Sequence, residues 1–291
     1  WGLSVRKNNE SKAASAMSTS QHDTAALESH KPDELTAAEA SALVDLLTRR
    51  ELDGVTRRDQ MFVLAVLDLF TSGMLAQQHL HTSQAWTPGG CAIRFQVQVK
   101  IGLYMSRFAP QISKKKSAPN APGTENDLVL SSLDWCWALH AGEHEALVNM
   151  TVPAEPNWDT LRALGVALWC QHEPTLRILA ERVAKTEYLK NKSAEDCALY
   201  YLALRKKVAL QQLYKTQRDE TLVKFLANDF EHERWKTAAQ KNAYVLLSKQ
   251  RYYLAAAFFL LADQLRDAVS ICLQKLNDYQ LALFIARLFE G

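Results

Sequence analysis

No run of apolar residues in this chain approaches the roughly 20 that a helix needs to cross a bilayer. The longest, around Leu254–Ala262, is about half that length. Net charge is also missing. The chain has 34 Lys and Arg against 32 Asp and Glu, a balance of +2, which leaves no global electrostatic footprint for nucleic acid. Paired cysteines are absent too. Cys91, Cys136, Cys170, Cys197 and Cys272 are odd in number, widely spread and never in a CxxC pair. That usage fits reduced cytosolic thiols better than a disulfide scaffold. Residues 1–12 lack the apolar centre of a secretory signal. The chain opens on Trp1 rather than methionine, which reads as a piece of a longer polypeptide.

Chemical motifs are equally scarce. No phosphate-binding Walker loop, G-x-G-x-x-G turn, G-x-S-x-G elbow or kinase signature occurs. His140-Ala-Gly-Glu143-His144 formally matches the inverted zinc-peptidase pattern H-x-x-E-H. Zinc chemistry there needs both histidines on one helical turn and a third ligand elsewhere. Gly142 interrupts that turn and no ligand helix follows, so the string reads as a polar junction between helices. Cys136 and His140, four apart, could form a thiol–base pair; a buried thiol beside an exposed helix-end histidine is the plainer expectation. His79 and His81 match no standard metal spacing with Cys91. No catalytic residue, cofactor or metal is expected.

What the chain does have is helical periodicity with almost no polar interruption towards its end. Leu254, Ala257, Phe258 and Leu261 share one helical face, as do Leu265, Ala268, Val269 and Cys272, and Leu281, Phe284, Ile285 and Leu288. Upstream, Leu161, Leu164, Gly165 and Leu168 form a stripe, followed by Leu176, Leu179, Ala180, Val183 and Ala184. Ser193-x-x-Asp196 is expected to cap the next helix, with Ala194, Cys197, Ala198, Tyr201 and Leu202 inward. A single amphipathic helix buries too little to offset its ordering entropy, so each needs neighbours. The nearly all-round apolar Tyr252–Leu261 segment is what a helix sandwiched between others carries. An irregular echo supports stacking: Cys197–Ala203 lines up with Ala255–Leu261, and Tyr252-x-Leu-Ala with Tyr279-x-Leu-Ala.

The first half is less regular. Residues 1–33, rich in Ser, Ala, Asn, Lys and His, read as a disordered arm or linker. Residues 34–108 read as a small helical portion. Thr36-x-x-Glu39 opens a helix to about Arg49, and Thr56-x-x-Asp59 a second with Phe62, Val66, Leu69, Phe70 and Gly73 inward. In the next segment Phe95, Val97, Val99 and Ile101 alternate like a strand. Ile93, Val97, Ile101, Tyr104, Met105 and Phe108 also make a helical stripe, and helix is the expectation. Residues 109–125, with three prolines and Lys114-Lys115-Lys116, read as a solvated loop. Helices resume with Leu128–Leu139, and residues 126–291 read as an α-solenoid. The fold class is therefore all-α: an irregular α-solenoid of stacked helix pairs behind a disordered N-terminal arm.

Beyond packing, Arg205-Lys206-Lys207 is the one basic cluster marked as a candidate partner surface, with helix capping as the alternative use of the same charges. Lys114–Lys116 reads as a solvated run, and Trp235 as core on a stripe with Ala238, Ala239, Asn242 and Leu246.

The wording of the C-terminal half has a further property. Asn228-Asp229-Phe230, Glu233-Arg234-Trp235, Lys241-Asn242-Ala243, Ala256–Leu261, Asp267-Ala268-Val269, Gln280-Leu281-Ala282 and Ala286-Arg287-Leu288 together resemble the C-terminal helical region of the DmX-like (rabconnectin alpha) family. The upstream stretch from Ser132 to Tyr214 resembles the same family. The large subunit of the RAVE complex, which regulates assembly of the vacuolar proton-pumping ATPase, is a member. The resemblance implies a non-catalytic scaffold within a very long protein whose WD-repeat propellers lie upstream; no such repeats occur here. It implies docking to subunits of the pump's catalytic sector and peripheral stalk, and to a companion WD-repeat or Skp-type subunit. It also implies a cytoplasmic protein, peripheral at vacuole or endosome membranes through its partners. The alternative of a different class is a helical subunit of a vesicle coat or tethering complex.

Overall fold

A computed structural model describes residues 35–50, 52–72, 87–113 and 130–291, with backbone only at 108–113. Every regular element among the described residues is a helix. The N-terminal group is α1 (Ala37–Arg49), α2 (Arg57–Thr71) and α3 (Pro88–Ser113). Next come α4 (Ser132–Leu139), α5 (His144–Thr151), α6 (Trp158–Leu164) and α7 (Val166–Trp169). The array continues with α8 (Glu173–Asn191), α9 (Ala194–Ala203), α10 (Lys207–Thr216) and α11 (Glu220–Leu226). It ends with α12 (Glu233–Ser248), α13 (Tyr252–Leu261), α14 (Leu265–Gln274) and α15 (Tyr279–Glu290). Ala37–Gly291 forms one compact unit. The expected all-α array of neighbouring helix pairs is borne out. The arm expected at 1–33 and the Lys114–Lys116 run lie outside the described residues.

Helix α3 resolves the ambiguity between strand and helix. Phe95 and Val99 enter the main core with Ala92, while Val97 and Ile101 enter a smaller core made with α1 and α2. Residues two apart on a helix point about 200° away from each other. A helix buried on opposite sides therefore alternates apolar residues just as a half-buried strand does. It runs to Ser113, past Pro110, so the expected loop begins later than residue 109.

The inward face of α2 differs in part from expectation. Thr56 opens the helix by accepting from the Asp59 amide at 3.2 Å, as its sequence suggests. Gln60, Met61, Leu64, Ala65, Leu67 and Leu69 are then buried; of the residues expected inward, Leu69 is buried and Val66 packs against the small core, whereas Phe62 is 49% and Phe70 37% exposed. The helix is apolar on more than one side, and α1 and α3 leave Phe62 and Phe70 uncovered. Gly73 lies outside the described residues.

Two further boundaries shift for identifiable reasons. The expected continuous helix from Leu161 to Trp169 breaks at Gly165, whose φ is +68°. A Cβ there would fall 2.4 Å from the Trp135 indole nitrogen, so the chain turns where the indole leaves no room. Helix α4 starts at Ser132, because Ser131 and Asp134 form a reciprocal capping box. Ser193 stands at the N-cap of α9 without a side-chain cap bond. Asp196 instead accepts from the Asn191 amide nitrogen at 2.8 Å.

The internal echo is a structural repeat. A shift of 58 residues (252 − 194) carries α9, Ala194–Ala203, onto α13, Tyr252–Leu261, and α10, Lys207–Thr216, onto α14, Leu265–Gln274. Left-handed residues follow the same step, Lys192 onto Gln250 and Arg205 onto Asp263. Most of these helices end in the same bonded turn. Lys206 N–H reaches Tyr201 O at 2.8 Å, and Gln264 N–H reaches Phe259 O at 2.8 Å. One added residue before α15 shifts the last step: Asp219 caps Leu222 N at 3.0 Å and Asp278 caps Leu281 N at 2.9 Å. The equivalents α9 and α13 pack directly on each other, and α13 is buried along Leu254–Leu261 between α9, α12 and α14. Helix α15 returns to α7, α8 and α9, which ties the last helix to the middle of the chain.

Candidate interaction surface

Arg205, Lys206 and Lys207 occupy the turn from α9 into α10. The turn that places Arg205 in the left-handed region, with φ +57°, points the three side chains in three directions. Arg205 reaches the end of α15: its Nε and Nη2 donate to the Phe289 carbonyl at 3.4 and 3.3 Å. Its guanidinium lies 4.0 Å above the centre of the Phe289 ring, with Asp263 at 3.9 Å. A cation at a helix C-terminus offsets the negative end of the dipole, and Arg177 does the same at the Leu288 carbonyl, 3.1 Å away. Lys206 pairs with Glu181 on α8. Lys207 donates to the Asn228 carbonyl at 2.6 Å and sits 5.1 Å from the Phe230 ring centre.

Arg205 and Lys207 line one cavity of about 380 Å³, and Lys206 lies outside it. The cavity gathers the ends of α9, α13 and α15 with the loop before α12. Its floor is Leu202, Leu260 and Phe289; its rim adds Phe230, Lys236 and the carboxylates of Asp229, Glu231 and Asp263. Opposite charges balance there, so the cluster that reads as purely basic in the sequence is a mixed-charge rim in space. A second hollow, of about 540 Å³, is more apolar and lies between Leu103 of α3, Met150 in the last turn of α5 with Val152 after it, and Leu164 of α6.

The histidine string is spent on structure. His144 is buried; its Nδ1 accepts from the Gln171 amide at 3.0 Å, which leaves Nε2–H to donate to the Leu139 carbonyl at 3.1 Å. Both ring nitrogens are thus occupied by backbone. His140 ends α4 in solvent and does not converge with it. Among the described residues no three His, Cys, Asp or Glu side chains group as a metal site would require. Cys136, expected buried, is exposed, and the other four thiols are buried. Burial pushes Cys197 and Cys272 up to about 12, so those thiols stay protonated and inert.

Trp235 is half-buried and packs edge-on against Phe225, with ring centres 6.4 Å apart, while Ala239 and Ala243 carry the buried line of α12 and Asn242 is exposed. A polar cluster that the sequence reading missed joins distant segments. Asp278 is 4% exposed and accepts from the Trp158 indole N–H at 2.8 Å, with Arg162 at 3.5 Å. An aspartate before an apolar run signals a helix N-cap. Nothing local signals a tryptophan 120 residues away as its second partner.

Among the described residues, no helix is long and apolar enough to cross a membrane. The family model described as RAVE protein 1 C terminal matches residues 3–291. DmX-like protein 1 of Mus musculus is 36% identical over 271 residues, covering 91% of this chain and 9% of that protein. The regulator of V-ATPase in vacuolar membrane protein 1 of Saccharomyces cerevisiae is 30% identical over 256 residues, covering 86% of this chain and 17% of that protein. The chain thus spans well under a fifth of the length of these relatives. With the matching stretch running nearly end to end, the chain belongs to the RAVE protein 1 C-terminal family.

Proposed function

We propose that this chain is a non-catalytic scaffold segment of a regulator of the vacuolar proton-pumping ATPase. It supports rejoining of the pump's catalytic sector with its membrane sector, and so acidification of the organelle. Family membership over residues 3–291, with yeast relatives named as regulators of that ATPase, carries the reading. The architecture supports it physically, since stacked helix pairs bury their apolar faces against each other and present outer faces to partners. The partners are subunits of the catalytic sector and peripheral stalk, with a companion WD-repeat or Skp-type subunit. The protein works in the cytoplasm and meets the vacuole or endosome membrane through those partners.

The turn at Arg205, Lys206 and Lys207 belongs to the partner surface. Arg205 anchors α15 and Lys207 edges the mixed-charge cavity, whereas Lys206 pairs only with Glu181, itself partly exposed, so Lys206 is the one of the three to alter with least disturbance of the fold. Affinity capture from cytosol, with organelle pH read after deletion of residues 130–291, tests the reading. Recovery of pump subunits together with a rise in organelle pH is the expected result. Recovery of coat or tether subunits with unchanged pH overturns it. Lys206→Glu should reduce pump-subunit capture several-fold at unchanged thermal stability; undiminished capture removes this turn from the surface.

A further inference from the structure

Gln96 is the polar side chain of α3 that packing does not explain. It is 2% exposed, and its Oε1 has no hydrogen-bond partner. Its Nε2 donates to Met150 Sδ at 3.2 Å. A buried amide is normally satisfied at both ends, and a thioether is a weak acceptor. Met150 itself is 42% exposed, in the last turn of α5, on the wall of the hollow it shares with Val99, Leu103, Val152 and Leu164. The other described methionines differ. Met61 is 4% exposed inside the small core. Met105 is 37% exposed, with no donor to its sulfur among the described residues. Met150 therefore combines an open side chain with a fixed donor on its sulfur.

A thioether sulfur carries two lone pairs, one on each face. The Gln96 amide occupies one of them from inside the fold. The other is left for an oxidant that enters from the hollow. With hydrogen peroxide, that lone pair attacks one peroxide oxygen, and the S–O bond forms as the O–O bond breaks. Sulfur gives up two electrons, and the second oxygen leaves as water with the proton of the first. The sulfoxide sulfur is a stereocentre, so attack confined to one face yields one epimer.

We propose that Met150 is a reversible oxidation site for peroxide, and that the buried Gln96 amide restricts it to a single sulfoxide epimer. Each epimer is reduced by a different methionine sulfoxide reductase, so only one of the two enzymes restores this site. Oxidation places a polar oxygen on the wall beside Leu103, Val152 and Leu164, and so changes the character of that apolar hollow. The site is separate from the Arg205 turn and does not depend on the pump reading.

The test oxidises the full chain with hydrogen peroxide to low conversion, once folded and once unfolded in urea. After digestion, the peptide carrying residue 150 is offered to each of the two epimer-specific reductases, and the remaining sulfoxide is read by mass spectrometry. From the folded chain, one reductase should remove at least about fivefold more sulfoxide than the other; from the unfolded chain the two should remove about equal amounts. Gln96→Leu keeps the bulk and removes the donor, and should return the folded ratio to about one at an unchanged circular dichroism melt. Equal epimers from the folded chain overturn the proposal, as does a bias that survives in Gln96→Leu. So does oxidation of Met150 no faster than that of the buried Met61. The comparison of folded and unfolded chain needs no variant, so it decides the matter whether or not Gln96→Leu folds.

Discussion

Helices α13 and α2 are both apolar nearly all round, yet they end in opposite circumstances. Helix α13 is enclosed by α9, α12 and α14, and Phe258, Phe259, Leu260 and Leu261 are all buried. Helix α2 is covered by α1 and α3 on one side and leaves Phe62 and Phe70 in solvent on the other. The difference lies in neighbours, not in the helices themselves. A two-sided apolar helix states that it needs two partners; only the surrounding chain decides whether both are supplied from within. In the C-terminal array the 58-residue repeat supplies the second partner, because α9 and its equivalent α13 pack against one another.

The sharpest way to break that comparison is to remove the same side chain from both helices. Phe259 is 1% exposed, stacked edge-on to Tyr244 with ring centres 5.1 Å apart. Phe259→Ala should destabilise the chain by about 3–5 kcal/mol through lost burial and the cavity left behind. Chemical denaturation measures it. A loss below about 1 kcal/mol, the size of an ordinary surface change, would mean that α13 is not the enclosed centre of the array.

How far these circumstances could be read in advance depended on the distance over which each partner acts. The stripes of α8, α9, α13 and α15 were legible because a helix face is written within four residues, and all the residues assigned inward there are buried. The echo between Cys197–Ala203 and Ala255–Leu261 was legible for the same reason, and the helix boundaries match it. On α2 the period was right and the face only partly so: Leu69 is buried and Val66 packs against the small core, while Phe62 and Phe70 fall outside what α1 and α3 cover. Gly165 as a break depended on Trp135, thirty positions away. The Arg205 cluster was visible as charge, whereas its engagement with Phe289 and Asp263 required α13 and α15 to arrive beside it.

Gly165 gives the next largest effect and tests how tightly the junction of the two regions is set. Alanine there meets the Trp135 indole and must hold a left-handed backbone. Gly165→Ala should cost about 2–4 kcal/mol, from overpacking and from the left-handed penalty together. In a Trp135→Ala background the steric part disappears, so the added cost should shrink towards the about 1–2 kcal/mol of the backbone alone. Equal costs in both backgrounds would place the constraint in the backbone rather than in the tryptophan contact. Melting of the four proteins separates these outcomes.

The smallest expected change is the most informative about α2. Phe62→Ser removes a large aromatic side chain, but that side chain is half exposed and faces away from the small core. The substitution should leave stability within about 0.5 kcal/mol, as for surface sites with no special role. A loss approaching that of Phe259→Ala would show that the outer stripe is already covered from within the chain, and α2 would then resemble α13 after all. Unchanged stability is the result that separates a helix held by one apolar side from one enclosed on both. Phe62 and Phe70, about two turns apart on one face, would then be aromatic side chains on which the fold does not depend.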